Sequence, residues 1–220
     1  IKKTKMSHSH SHGHSCSEEH AETPEEENAR GQESLYRLID KEKIRSFNAQ
    51  NSEDAKVVIR PFEERKSKEG SVQSDDDDPE LILFIPFTSA VNIKSITVTG
   101  GSTESSPKLL QCWINREDID FSNVEDLPPV QEIELIQDVN AQPDAEYKTN
   151  ITKFQRVENI TLFFKETFGG DEQSTEIHYI GFRGEFDQII SREPIIATYE
   201  AKPMLQDHKL PSNNQPRMGM

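Results

Sequence analysis

The most conspicuous chemistry in this 220-residue chain is a run of alternating imidazoles, His8, His10, His12 and His14, ending at Cys16. Imidazole and thiolate ligands suit Cu, Ni and Zn, and alternate residues on a flexible segment can wrap one ion. Structural zinc sites instead use spaced Cys and His ligands inside a fold. The run therefore reads as a metal buffer or as a solvated tail, and no metal site is assigned to it. The second cluster is Asp75, Asp76, Asp77 and Asp78, followed by Pro79. A calcium loop alternates its acids and adds a central Gly and a closing Glu. Here the acids are adjacent, and successive side chains of an extended segment point to opposite sides, so the four carboxylates do not converge. They read as an exposed acidic loop, and as the candidate binding surface for a basic partner.

Cys112 and His178 invite a nucleophile–base reading. However, Leu110, Cys112 and Ile114 share one face of a strand pattern, where a buried Cys behaves as a small apolar side chain. The pattern puts His178 on a face with Ile180 and Phe182, and no third group orients it. Trp113 falls on the face opposite Cys112, where it can stack a sugar, anchor a partner or pack against a second sheet. Gly169-Gly170-Asp171 reads as a hairpin turn. No Gly-rich phosphate loop, G-x-S-x-G or H-E-x-x-H occurs. No catalytic residue and no cofactor is assigned.

These residues need a scaffold, and the composition locates one. The chain carries 25 Lys+Arg against 40 Asp+Glu, a net charge of −15, and is only 32% hydrophobic. Such averages approach those of disordered chains. Yet 48 of the 51 Leu, Ile, Val and Phe residues lie between positions 35 and 200. The expected organisation is a His- and Glu-rich leader over 1–32, a folded domain over 33–201, and a flexible tail over 202–220. Residues 1–5 precede Met6, which is read as the natural start.

Ile and Val number 29 against 11 Leu, which favours strands. Strand-like runs cover 56–60, 80–86, 91–99, 109–115, 131–136, 159–165, 176–183 and 195–200. In the third run Val91 and Ile93 alternate onto one face, but Ile96 and Val98 fall on the other. A bulge near Lys94-Ser95 restores a single face. About eight short strands with regular turns predict an all-β fold, a β-sandwich or jelly roll, with a low-helix α+β fold as the competitor.

The charge balance disfavours nucleic acid, whose binders need a basic face, and anionic membrane for the same reason. The longest apolar run, 81–87, is far short of the roughly 20 residues a membrane-spanning helix needs. Residues 1–32 hold no apolar core of a secretory signal. With two cysteines and no C-x-x-C, the chain suits a reducing compartment, cytoplasmic or nuclear.

Several ordered motifs then resemble one family. Leu35-Tyr-Arg-Leu-Ile-Asp40 followed by Phe47-Asn48, and Arg60-Pro-Phe-Glu-Glu-Arg65, look like the opening of a PITH domain. The stretch from Ser74 to Thr88 resembles that family's acidic loop and following strand. Ile114-Asn115 with Ile119-Asp-Phe121, the stretch from Phe163 to Gly170, and the stretch from Tyr179 to Glu185 continue the match. The His-rich start is similar to that of stand-alone members. Phe62 and Phe186 stand where Trp is expected in those members. The family name denotes a proteasome-interacting thioredoxin domain. The resemblance implies a galactose-binding-like jelly-roll β-sandwich without an established enzymatic activity, associated with the regulatory particle of the 26S proteasome. The chain has no C-x-x-C, so the redox half of the name does not carry over. The expected function is a non-enzymatic interaction module and proteasome-associated adaptor. The alternatives are a small-ligand or carbohydrate-binding sandwich, and metal buffering by the leader.

Overall fold

A computed structural model describes residues 31–76, 78–101, 104–137, 145–170 and 172–186. The expected strand over 195–200, residues 1–30 of the expected leader and the C-terminal tail lie outside the described residues. Among the described residues eight strands occur: β1 (Arg45–Phe47), β2 (Val72–Gln73), β3 (Leu81–Gly100), β4 (Pro107–Ile114), β5 (Gln131–Glu134), β6 (Glu146–Lys148), β7 (Val157–Thr167) and β8 (Glu176–Phe186). One short helix, α1 (Asp54–Val57), and three 3-10 turns complete the described elements.

Every strand pair is antiparallel, and β3 belongs to both layers. Its first part pairs with β1 and β7, from Leu81 opposite Phe164 to Pro86 opposite Asn159. Its second part pairs with β8 and β6, from Val91 opposite Phe186 onward. The register breaks between Pro86 and Val91, where the strand changes layer. Proline has no N–H for a ladder and is at home beside such an irregularity. One layer is thus β1-β3-β7-β4-β5 and the other β6-β3-β8-β2. Leu83, Ile85, Leu110 and Leu162 from the first meet Ile96, Ile180 and Phe182 from the second in one apolar core. This is a jelly-roll β-sandwich, as expected.

The expected bulge is present. Ile93 faces Gly184 and Ser95 faces Arg183, so Lys94 is the extra residue. Val91, Ile93, Ile96 and Val98 therefore all enter the same core. The strand expected over 56–60 is not formed. Asn51 draws the chain into a turn, accepting the Glu53 amide on its side chain at 3.2 Å and the Asp54 amide on its carbonyl at 3.1 Å. The helix α1 follows, and only afterwards do Val58 and Ile59 extend into the core. There the Val58 carbonyl accepts the Ile180 amide at 3.0 Å and covers part of the edge of β8.

Trp113 is neither exposed nor between the layers. Ile82, Trp113 and Phe163 line the outer face of the first layer, and Ile119 and Val124 from the 115–130 connection close over them. The connection is pinned by Asp120, whose carbonyl accepts the Val124 amide at 2.9 Å and whose carboxylate accepts the Ser122 amide at 2.8 Å. Truncating a buried aromatic costs about 3–5 kcal/mol. Trp113→Ala is expected to lose that much in urea unfolding followed by circular dichroism, and Phe121→Ala, whose ring is 39% exposed, clearly less. Equal losses would place the connection's apolar contacts elsewhere.

Candidate functional site

The acidic loop leaves β2 and returns at the start of β3, and buried hydroxyls fix both its ends. Ser74 and Thr175 are fully buried. The Ser74 amide donates to the Thr175 carbonyl at 2.9 Å, and the Thr175 amide donates to Ser74 Oγ at 2.8 Å. The two hydroxyls then donate onward, Ser74 Oγ to the Asp78 carbonyl and Thr175 Oγ1 to the Pro79 carbonyl, each at 2.5 Å. The frame gives unpaired backbone carbonyls partners that β pairing does not supply here.

Asn48 adds a second clamp from the end of β1. Its φ of +62° lies in the left-handed region, which Asn tolerates better than most residues. From there its side-chain amide reaches Asp78 Oδ2 at 3.0 Å and the Glu80 carbonyl at 2.7 Å. Asp78 Oδ1 accepts the Glu80 amide at 2.9 Å. Asp78 is therefore a half-buried structural group. Asp75 and Asp76 are exposed, and Asp76 accepts the Gln50 side-chain amide at 2.7 Å. Asp77 lies outside the described residues. The four acids thus divide between holding the loop and facing solvent, and no group of three or more His, Cys, Asp or Glu among the described residues can hold a metal ion. Burial pushes the Glu80 carboxyl up from its ordinary value, and the nearby charges of Asp78 and Glu125 add to the effect.

A second polar cluster adjoins the first. Glu176 opens β8, and its carboxylate accepts Gln73 Nε2 at 3.1 Å and Ser105 Oγ at 3.2 Å. Burial alone raises its pKa, but hydrogen bonds from Gln73, Ser71 and Ser105, with the charge of His178, outweigh it and hold the carboxyl below its ordinary value. Gly101 is required beside it, since a Cβ there would lie 2.2 Å from Glu176 Oε2. This cluster has no sequence signature, because only strand register brings residues 71–73, 105 and 176 together.

Cys112 and His178 are not partners. Cys112 is fully buried in the core on β4, where burial pushes its thiol far up from the ordinary value. His178 faces the other way: its Nδ1 lies 3.4 Å from the Gly70 carbonyl and its Nε2 3.7 Å from Glu176 Oε1. Its expected face with Ile180 and Phe182 is corrected by a register shift. Tyr179 faces Thr99 and Ile177 faces Gly100, which leaves His178 as an extra residue outside the alternation. Gly170, at φ +91°, lies in the turn between β7 and β8, where its carbonyl accepts Thr167 Oγ1 at 2.9 Å; Asp171 lies outside the described residues. Among the described residues no helix is long and apolar enough to cross a membrane.

Residues 25–203 match the family model described as PITH domain. The chain is 36% identical over 178 residues to PITH domain-containing protein 1 of Danio rerio, covering 81% of this chain and 82% of that protein. It is 33% identical over 196 residues to the human protein of the same name, covering 89% of each. These relatives are named for a domain and not for an activity. Among solved structures, the CBM32-1 and CBM32-2 domains of ZmpB from Clostridium perfringens, in complex with GalNAc, align with a TM-score of 0.52 at 15% identity, over 72% of this chain and 38% of that one. That likeness shows the sandwich fold.

The two clusters separate by mutation and by pH. Asp78→Ala is expected to cost about 1–3 kcal/mol, since it strands the Asn48 amide and the Glu80 N–H. Asp75→Ala and Asp76→Ala should stay within about 0.5 kcal/mol. Denaturant midpoints for the three variants check this, and equal midpoints would refute the clamp. For Glu176 the depressed pKa means stabilisation present above the unfolded value of 4.5 and lost as pH falls through the folded value. The Tm advantage of the natural chain over Glu176→Gln should therefore be full near neutral pH and shrink in acid. An advantage independent of pH would contradict the assignment.

Proposed function

The chain belongs to the PITH domain family, and on that premise we propose that it is a non-enzymatic interaction module that docks on the regulatory particle of the 26S proteasome. The observation that carries this reading is the acidic loop. Asp75 and Asp76 stand exposed on a segment whose ends are locked by Ser74, Thr175 and Asn48. A loop already held in one conformation gives up little freedom on binding. Its charge speeds encounter with a basic partner surface and selects against acidic ones. The proteasome as partner comes from the family resemblance, and a cytoplasmic and nuclear location goes with it.

The polar groups support a module without catalysis. Cys112 is closed off in the core, and Glu176, Asp78 and Ser74 are engaged in holding backbone and loops. A sugar-binding reading would be helped by an exposed aromatic platform, but Trp113, the one tryptophan of the chain, is 1% exposed.

Affinity purification of the tagged chain from cells, with ATP present to keep the 26S particle assembled, tests the partner. Proteasomal regulatory subunits are the expected co-purifying proteins, and their absence would remove the proposal. The loop is tested separately with Asp75→Asn and Asp76→Asn together. Association should slow several-fold at low salt and its salt dependence should flatten, with an unchanged unfolding midpoint. Identical association rates across a salt series would exclude the loop from the interface.

A further inference from the structure

The outer face of the first layer holds two buried polar atoms that nothing satisfies. Trp113 on β4 lies directly opposite Thr161 on β7, and each residue is 1% exposed. Among the described residues neither Trp113 Nε1 nor Thr161 Oγ1 has a hydrogen-bond partner. The other two such atoms, Arg60 Nε and Arg183 Nε, belong to guanidinium groups that contact the Glu69 carbonyl and the Glu146 carboxylate. A buried polar group left without a partner is rare in a folded chain and calls for an explanation. Here two of them sit in register under one cover, the 115–130 connection.

That cover is braced on itself and not on the sheet. The Asp120 amide donates to Asn123 Oδ1 at 3.1 Å, and the Asp126 amide donates to the Asn123 carbonyl at 3.1 Å. The Asn123 side-chain amide reaches the Asp118 carbonyl at 2.5 Å, and Arg116 holds the Asp118 carboxylate at 2.6 Å. Among the described residues, every hydrogen bond of positions 117–127 ends within the 115–130 connection. What crosses to the sheet is apolar contact from Ile119, Val124 and Leu127, the Phe121 ring 6.2 Å from that of Phe163, and one exposed ion pair, Glu125 with Lys165 at 3.5 Å. Such exposed pairs contribute little. The bonds that fix the connection lie at its two ends: the Asn115 amide donates to the Asn159 carbonyl at 2.9 Å, and the Val130 amide donates to the Cys112 carbonyl at 2.8 Å.

We propose that residues 117–127 form a lid that lifts as one body between these fixed ends and uncovers Trp113, Thr161 and Phe163. Lifting breaks no hydrogen bond to the sheet. It exposes the apolar contacts to water, which opposes opening. It also hydrates an indole N–H and a hydroxyl that the closed form leaves unmet, which favours opening. The balance makes this face open by local unfolding, below the cost of unfolding the sandwich. The lid gives the chain a conditional surface apart from the acidic loop. Closed, the rings of Trp113 and Phe163 are sealed; open, they stand beside an N–H donor and a hydroxyl.

Trp113 is the one tryptophan of the chain, so its indole proton reports opening directly. Hydrogen exchange at Trp113 Nε1 is followed by NMR in the full-length chain, beside the backbone amides of Leu110 and Leu162 in the core. In the natural chain the indole proton should be less protected than the two core amides, and low urea should leave its exchange rate unchanged. Equal protection of all three would mean that Trp113 is reached only by global unfolding, and would overturn the lid. Two variants, each with its urea midpoint, test the cause. Thr161→Val keeps the shape and removes the unmet hydroxyl, so the closed form gains on the open one. Indole exchange should slow by about tenfold and the midpoint should not fall. If Thr161→Val leaves that exchange unchanged, speeds it or lowers the midpoint, the hydroxyl is satisfied under the closed lid and the proposal is overturned. Val124→Ala removes a lid contact and should speed indole exchange several-fold more than that of the core amides. Equal acceleration at all three protons would likewise overturn it.

Discussion

One strand carries the architecture. β3 pairs with β7 in one layer and with β8 in the other, so the positions of both layers depend on how it turns between Pro86 and Val91. The turn alone does not suffice. With strict alternation, Val91 and Ile93 would enter the core while Ile96 and Val98 faced out. The extra residue Lys94 reverses the phase, and the second half of the strand can then bury its β-branched residues. A bulge that displaces one residue also gives that residue a new direction. Lys94 Nζ reaches Glu33 at 3.1 Å and Glu185 at 2.7 Å, so the device that keeps the core apolar also helps fasten the segment 31–35.

The bulge was legible because a face switch in a strand pattern has few physical causes. The same logic missed its counterpart at His178, where a single extra residue separates Ile177 from Tyr179 and no apolar run flags it. The error had a chemical consequence: plain alternation places His178 on the core side, whereas the structure turns it toward Gly70 and Glu176. The helix at Asp54–Val57 was missed for a different reason. Val57, Val58 and Ile59 have strand propensity, but the Asn51 turn decides the local geometry before propensity acts. Trp113 shows a third limit. Its alternation off the core face was correct, yet nothing local indicates that residues 119–124 fold back to bury it.

Fold and family therefore stand on different footing from function. The motifs at 35–48, 60–65, 74–88 and 179–185 pointed to the PITH family, and the match over residues 25–203 places the chain in it. The sandwich it shares with carbohydrate-binding modules is a scaffold that hosts unrelated functions, so the function has to be argued from sites. Here the surface over the first layer's outer face is closed by an apolar lid of Ile119 and Val124. A stacking platform built on Trp113 would need that connection to open, at the expense of its apolar contacts.

What the polar residues do is then the most informative guide. A catalytic group must keep a lone pair or a proton in reach of substrate. Ser74 accepts the Thr175 amide and donates to the Asp78 carbonyl; Asn48 spans Asp78 and Glu80; Glu176 takes Gln73 and Ser105. Each is engaged in architecture, in the region where chain segments leave the strands and backbone groups lose ladder partners. Asp75 projects beyond this frame, and Asp76 does so while held by Gln50. Buried hydroxyls and amides thus hold Asp75 and Asp76 at defined positions in a chain of −15, and on the proposed reading charge held at a fixed position discriminates partners better than the same charge on a mobile segment.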